Sequence, residues 1–290
     1  MNRKFGEIIE SYQTILVDNY GVLKFADGLN FEAVETLKEL ISLGKTVIIL
    51  SNGTFTDPEE RFAKKGLFKG VHYHAFVTSG QYAKEDISKG SLPFKRYVVF
   101  GTANFKRPDN KVPDLLAGSP YERVDSADVA DFVYCGIPQI AGEDRTTIAD
   151  FVSPVRDLLR RGLPMVVANP DELACEDGRW VVRQGAIADL YRKLGGEVKM
   201  YGKSDPGIFD WVLGDIPRDQ VLMVGDSLPT DIRGAKNAGI ASCLTISGGL
   251  TEAKMRQIGF PTDPAGIKDY IKYSGSPRPD FPNFVVPSIF

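Results

Sequence analysis

Four short segments of this chain carry side chains that could do chemistry together. Asp18 closes the apolar run Thr14-Ile15-Leu16-Val17 and opens a turn at Gly21. Ser51-Asn52-Gly53 directly follows the run Thr46 to Leu50, and Gly202-Lys203 precedes a helix started by Pro206. Gly225-Asp226 closes Val221 to Val224, with Asp231 shortly after it. A carboxylate at the exposed end of a buried parallel strand stands where open α/β sheets place their active sites. Together the segments offer a carboxylate nucleophile, a hydroxyl with backbone donors, one fixed cation and a further acidic pair. Phosphoryl transfer calls for that inventory, because it demands positioning and the neutralising of charge on the transferring oxygens. Mg²⁺ suits one or two carboxylates plus phosphate oxygens and water. Taken singly, each residue has a plainer reading. Asp18 and Asp231 could be turn or cap residues, Ser51 an N-cap, and Lys203 a solvated lysine.

The elements that must position these residues alternate as strand and helix. Asn30 can cap a helix whose apolar residues Phe31, Val34, Leu37, Leu40 and Ile41 keep helical spacing. Thr46 to Leu50 reads as a buried strand, a helix starts at Asp57-Pro58 and ends at Gly66, and Phe76 to Ser79 reads as a third strand. The middle is less regular, with strands over Tyr97–Phe100, Phe132–Cys135 and Met165–Ala168 and helical spacing from about Glu143 to Arg161. The last third resumes the first pattern, with strands at Val221–Val224 and Cys243–Ile246, and a helix from near Asp231 to Gly239. The fold class is therefore α/β, a doubly wound parallel-sheet core with a smaller inserted α/β domain. The expected division is core 1–80, insertion 81–185 and core 186–290. The tail from about 273 is proline-rich and expected to be irregular.

Bulk properties exclude some partners. A net charge of -3 leaves no electrostatic footprint for nucleic acid or an anionic membrane. No apolar run approaches the roughly 20 residues that span a bilayer, and the charged N-terminal residues do not read as a secretory signal. Cys135, Cys175 and Cys243 are scattered without metal-site spacing, which fits a reduced, cytoplasmic setting. His72 and His74 lack a third ligand nearby and read as structural or surface residues. Gly248-Gly249 reads as a loop hinge.

The motifs Asp-x-x-Gly-Val, Ser-Asn-Gly, Gly-Lys and Gly-Asp-x-x-x-x-Asp resemble the four signatures of the haloacid dehalogenase superfamily. The large insertion between the second and third resembles its class IIA branch, the sugar-phosphate and p-nitrophenyl-phosphate phosphatases. Ala168-Asn169-Pro170-Asp171 and Gln184-Gly185-Ala186 are also similar to that branch, and the resemblance covers nearly all the chain except the tail. It implies an aspartyl-phosphate on Asp18. It implies Mg²⁺ held by Asp18, Asp226 and the backbone carbonyl of Tyr20, with Asp231 orienting the metal site. Ser51 and the amides of Asn52 and Gly53 would hold phosphoryl oxygens, and Lys203 would offset charge between Asp18 and the phosphate. Asn169 and Asp171 would reach toward the substrate and set its choice, although Asn-Pro-Asp can equally build a turn. The expected substrate is a small phosphorylated metabolite, and class IIA relatives often pair as homodimers.

Tyr20 departs from the common phosphatase pattern, in which that position carries the general acid and base. A phenol with an ordinary pKa of about 10 is poorly matched to that work at neutral pH. Two other readings therefore stand beside the phosphatase. One is a carbon–halogen hydrolase, since Asp-x-Tyr-Gly occurs in haloacid dehalogenases; the acidic pair Asp226 and Asp231 weighs against it. The other is a phosphometabolite-binding protein that has lost turnover.

Overall fold

A computed structural model describes all residues except 2, 26–27, 103–114, 177 and 274–279. They fall into two compact units. One comprises Met1–Ser51, Asp57–Val77 and Lys203–Phe290; the other comprises Asn52–Thr56 and Thr78–Gly202.

The first unit is built on a six-stranded sheet. Its strand order is Phe284–Val286, Ala241–Thr245, Val221–Gly225, Thr14–Asp18, Thr46–Ser51, Ala75–Thr78. Thr14–Asp18 pairs in parallel with both Thr46–Ser51 and Val221–Gly225. Its apolar residues Ile15, Leu16 and Val17 are all buried, as expected of a central strand covered on both faces. Strand order reverses at this strand: the chain moves to one side through Thr46–Ser51 and later to the other through Val221–Gly225. That is the switch point at which doubly wound sheets open their crevice. The helix Phe31–Ser42 starts where Asn30 Oδ1 accepts from the amides of Glu32 (3.0 Å) and Ala33 (3.1 Å). It buries Ala33, Val34, Leu37 and Leu40, whereas Phe31 is exposed and Ile41 only half-buried.

The second unit has its own sheet, in the order Val198–Met200, Met165–Val167, Phe132–Cys135, Arg96–Phe100, Glu122–Arg123. Alternate residues serve opposite faces. Tyr97, Phe132, Tyr134 and Val166 pack with Ile87 and Leu92, while Val133, Cys135, Met165 and Val167 pack with Phe151, Val155 and Ile187. Helix Gln184–Lys193 and strand Val198–Met200 belong here, because the strand completes this sheet beside Met165–Val167. The chain thus rejoins the first unit at Lys203 rather than at residue 186.

Several local expectations change. The strand expected over Phe76 to Ser79 ends at Thr78, whose hydroxyl accepts from the Gln81 amide (3.1 Å) and begins the helix Ser79–Ser88. Glu143 starts no helix. Ala141 and Gly142, with φ of 55° and 78°, instead turn a hairpin between Gln139–Ile140 and Glu143–Asp144. The helix itself runs Val152–Arg160, after a 3₁₀ turn at Ile148–Phe151. The tail is not wholly irregular, since Phe284–Val286 adds a parallel edge strand to Ala241–Thr245. No described helix is long and apolar enough to cross a membrane.

Candidate active site

Asp18 is the last residue of its strand, and register explains its company. It stands opposite Leu50, so Ser51 is the next residue on the neighbouring strand. On the other side Val17 stands opposite Val224, which brings Gly225-Asp226 alongside Asp18. Carboxylate oxygens of Asp18, Asp226 and Asp231 lie within 4.8 Å of one another, and all three residues are buried.

Lys203 joins them by a different route. The expected division put residues 186–290, and so the segment before Lys203, in the core, but the strand before Lys203 is Val198–Met200 of the second unit's sheet. Lys203 sits in the turn before helix Pro206–Leu213, which Asp205 caps through the Gly207 amide (3.0 Å). Its ammonium, only 1% exposed as a residue, pairs with the Asp18 carboxylate and lies 2.6 Å from Asp231 Oδ1.

Asp231 is folded back onto the turn it follows. Its Oδ2 accepts from the amides of Asp226 (3.1 Å) and Ser227 (3.0 Å). The residue lies in the single-turn π-helix Leu228–Ile232 and is 0% exposed. Gly225 makes room for it: a Cβ there would stand 2.2 Å from the Asp231 carboxylate. With one oxygen on two amides and the other facing Lys203, Asp231 braces the loop, while Asp18 and Asp226 remain the carboxylates best placed for a cation. The glycine of the Gly-Asp motif is legible in sequence; the reason for it is a side chain six positions on.

Crowding of acids sets the electrostatics. Burial, then the Asp231 carboxylate, pushes the Asp226 acid up to about 7. Burial and Asp231 likewise hold Asp18 well above the usual carboxylate range, against the lowering pull of Lys203. Lys203 does not offset the rise at Asp18 and Asp226, so a second positive charge would let those two carboxylates ionise. The donors are all hard carboxylate oxygens, which fit Mg²⁺ or a similar divalent cation. Asp18 and Asp226 would hold it.

The remaining sequence-predicted residues divide between the units. Tyr20 is half-buried in the turn after Asp18, its ring 5.1 Å from Lys24 Nζ. Ser51 is buried at the end of its strand. Asn52 and Gly53 begin the second unit, where Asn52 Nδ2 donates to Asp171 Oδ1 (2.7 Å). Asp171 in turn donates its amide to Asn169 Oδ1 (2.8 Å), so Asn-Pro-Asp does build a turn. Sequence reasoning missed Arg183, which is 3% exposed and holds two hairpins of this unit through Asp144 and Glu176, each at 3.0 Å. Its only sequence signal was an arginine just before the Gln184-Gly185-Ala186 motif. His72 and His74 each accept a backbone amide, from Phe68 (3.0 Å) and Val47 (3.1 Å) respectively.

Comparison with known proteins agrees with this architecture. A HAD-hydrolase-like family model matches residues 200–272, the stretch that carries Lys203, Asp226 and Asp231. A 4-nitrophenylphosphatase of Schizosaccharomyces pombe is 24% identical over 272 residues, covering 86% of this chain and 88% of its own length. A haloacid dehalogenase-like hydrolase from Brucella suis shares the fold with a TM-score of 0.75 at 22% identity, over 98% of each chain. A possible sugar phosphatase from Cytophaga hutchinsonii shares it with a TM-score of 0.71 at 22% identity, over 98% of this chain and 96% of its own. Residues 200–272 thus match the HAD-hydrolase-like family, and the chain is similar over most of its length to a 4-nitrophenylphosphatase and shares its fold with haloacid dehalogenase-like structures.

Proposed function

We propose that this protein is a Mg²⁺-dependent phosphatase that hydrolyses a small phosphorylated metabolite through an aspartyl-phosphate on Asp18. The observation that carries the reading is the buried cluster of Asp18, Asp226 and Asp231 around the Lys203 ammonium. The phosphatase name of the S. pombe relative agrees with it.

In the first step an Asp18 carboxylate oxygen attacks phosphorus. The ester P–O bond breaks and its electron pair leaves with the alkoxide or phenolate. In the second, water attacks the same phosphorus, the Asp18 O–P bond breaks, and inorganic phosphate departs with the carboxylate restored. Lys203, fixed against Asp18, places positive charge beside the bond being made and offsets charge on the transferring oxygens. Ser51 and the amides of Asn52 and Gly53 serve as donors to those oxygens. Bound Mg²⁺ would supply the further positive charge that keeps Asp18 and Asp226 ionised and neutralises the phosphoryl group. The leaving group must still acquire a proton, and Tyr20 stands where relatives of this pattern carry an acid. Esters with good leaving groups are therefore the preferred substrates, because a missing positioned acid costs roughly 10²–10⁴ in rate and costs most for alkoxides.

The test is phosphate and halide release from a small substrate panel, with and without Mg²⁺, for wild type and Asp18→Asn. Phosphate release requiring both Mg²⁺ and Asp18 supports the proposal. Metal-independent halide release would replace it with dehalogenation, and saturable binding without turnover with a ligand-binding role.

A further inference from the structure

Gly248-Gly249 reads as a flexible hinge in sequence, yet the structure sets it against the Asp226 carboxylate. The Leu250 amide, in the first turn of helix Leu250–Gln257, donates to Asp226 Oδ2. The Thr251 hydroxyl donates to the Asp226 backbone carbonyl at 2.6 Å, and the Thr251 amide approaches the same oxygen at 3.3 Å. Thr251 is buried. A Cβ on Gly249 would stand 2.4 Å from the Asp226 Cβ. From the other side, a Cβ on Gly21 would stand 2.4 Å from Asp226 Cγ. The carboxylate thus lies between two positions that only glycine can fill, with one oxygen committed to a backbone amide.

From this the geometry points to Gly249, Leu250 and Thr251 as positioning residues for the metal ligand Asp226: they fix its backbone and one carboxylate oxygen so that the other faces the cation. The inference rests on the Mg²⁺ site proposed above. Its logic is that of other metal centres, where groups hydrogen-bonded to a ligand set its orientation and basicity. Gly249 has φ of -88° and ψ of 175°, a backbone any residue adopts, so its requirement for glycine is one of space. Thr251 holds the main chain of Asp226, which makes its effect on the cation separable from any contact with substrate.

Mg²⁺ affinity measured by titration calorimetry on EDTA-treated full-length protein tests this, with the metal-free melting temperature recorded alongside. Thr251→Val keeps the shape and removes the donor, and Thr251→Ser restores it. Thr251→Val and Gly249→Ala should each weaken Mg²⁺ binding about 10–100-fold, with Thr251→Ser close to wild type. Folded Thr251→Val and Gly249→Ala proteins that bind Mg²⁺ within twofold of wild type would overturn the inference, even if both melt earlier, since that is the signature of a merely structural role. Wild type that binds no Mg²⁺ would remove the underlying site and the inference with it. The two failures are distinguished by the wild-type titration alone.

Discussion

Replacing Lys203 by Met should cost this protein far more stability than loss of an ordinary ion pair, and the cost should depend on pH. An exposed pair contributes about 0–1 kcal/mol, whereas removing one partner of a buried pair costs roughly 3–5 kcal/mol because the other charge is stranded. Lys203 is 1% exposed, Asp18 5% and Asp231 0%, so the buried figure applies. Met nearly conserves the apolar stem, which isolates the charge. Without the ammonium the acids respond by taking up a proton, each unit of pKa shift corresponding to about 1.36 kcal/mol. At pH 5 Asp226, pushed up to about 7, is largely protonated, and Asp18 is shifted in the same direction, so the penalty should shrink to about 1–2 kcal/mol. Urea unfolding followed by Trp211 fluorescence reads this directly. Trp211 lies in helix Pro206–Leu213 of the same unit, and a Trp180→Phe background silences the chain's second tryptophan. A loss below about 1 kcal/mol at pH 7 would refute the reasoning. So would an equal loss at pH 5 and pH 7, which would assign the effect to packing rather than charge.

Other outcomes follow from the same geometry. In EDTA-treated protein Asp226 binds its proton up to about pH 7, whereas unfolded it would release it near pH 4. The folded state therefore holds more protons across that window and loses stability as pH rises through it. Mg²⁺ competes with those protons, so it should raise the melting temperature more at pH 8 than at pH 5.5; equal shifts in differential scanning fluorimetry would contradict this. Tyr20→Asp should raise alkyl phosphate turnover by about 10²-fold or more while changing aryl phosphate turnover much less, and a leaving-group series measures it. Asp171→Ala breaks a charge-assisted hydrogen bond to Asn52 worth about 1.5–3 kcal/mol. Because that carboxylate already holds Asn52, kcat/KM should fall alike across a substrate panel; a change confined to one substrate would instead make Asp171 a specificity residue.

Much of this protein is local, and local features were legible in the sequence. The apolar runs at 14–17, 46–50 and 221–224 specify buried parallel strands, because only a sheet covered on both faces accepts such continuous hydrophobicity. Asp18, Ser51 and Asp226 were legible as residues at the ends of those runs, and the observed parallel register sets them side by side. Asn30 as a cap and Pro206 in a first turn likewise act within a few residues of themselves. What the sequence could not carry is contact between distant segments. The helix 184–193 belongs to the second unit only because strand Val198–Met200 pairs with Met165–Val167, and the tail contributes a strand only because Ala241–Thr245 offers an edge. Hairpin Gln139–Asp144 took only the start of the helix expected from about Glu143, because two left-handed residues at 141 and 142 turn the chain there, and the helix itself forms over Val152–Arg160. Most of all, Lys203 between Asp18 and Asp231, Asp231 above Gly225, and Gly249 against Asp226 arise from close approach across many residues of chain. Sequence supplied the reactive groups. Tertiary packing decided which carboxylates are buried together, and that burial is what raises the proton affinity of Asp18 and Asp226 and favours a cation beside them.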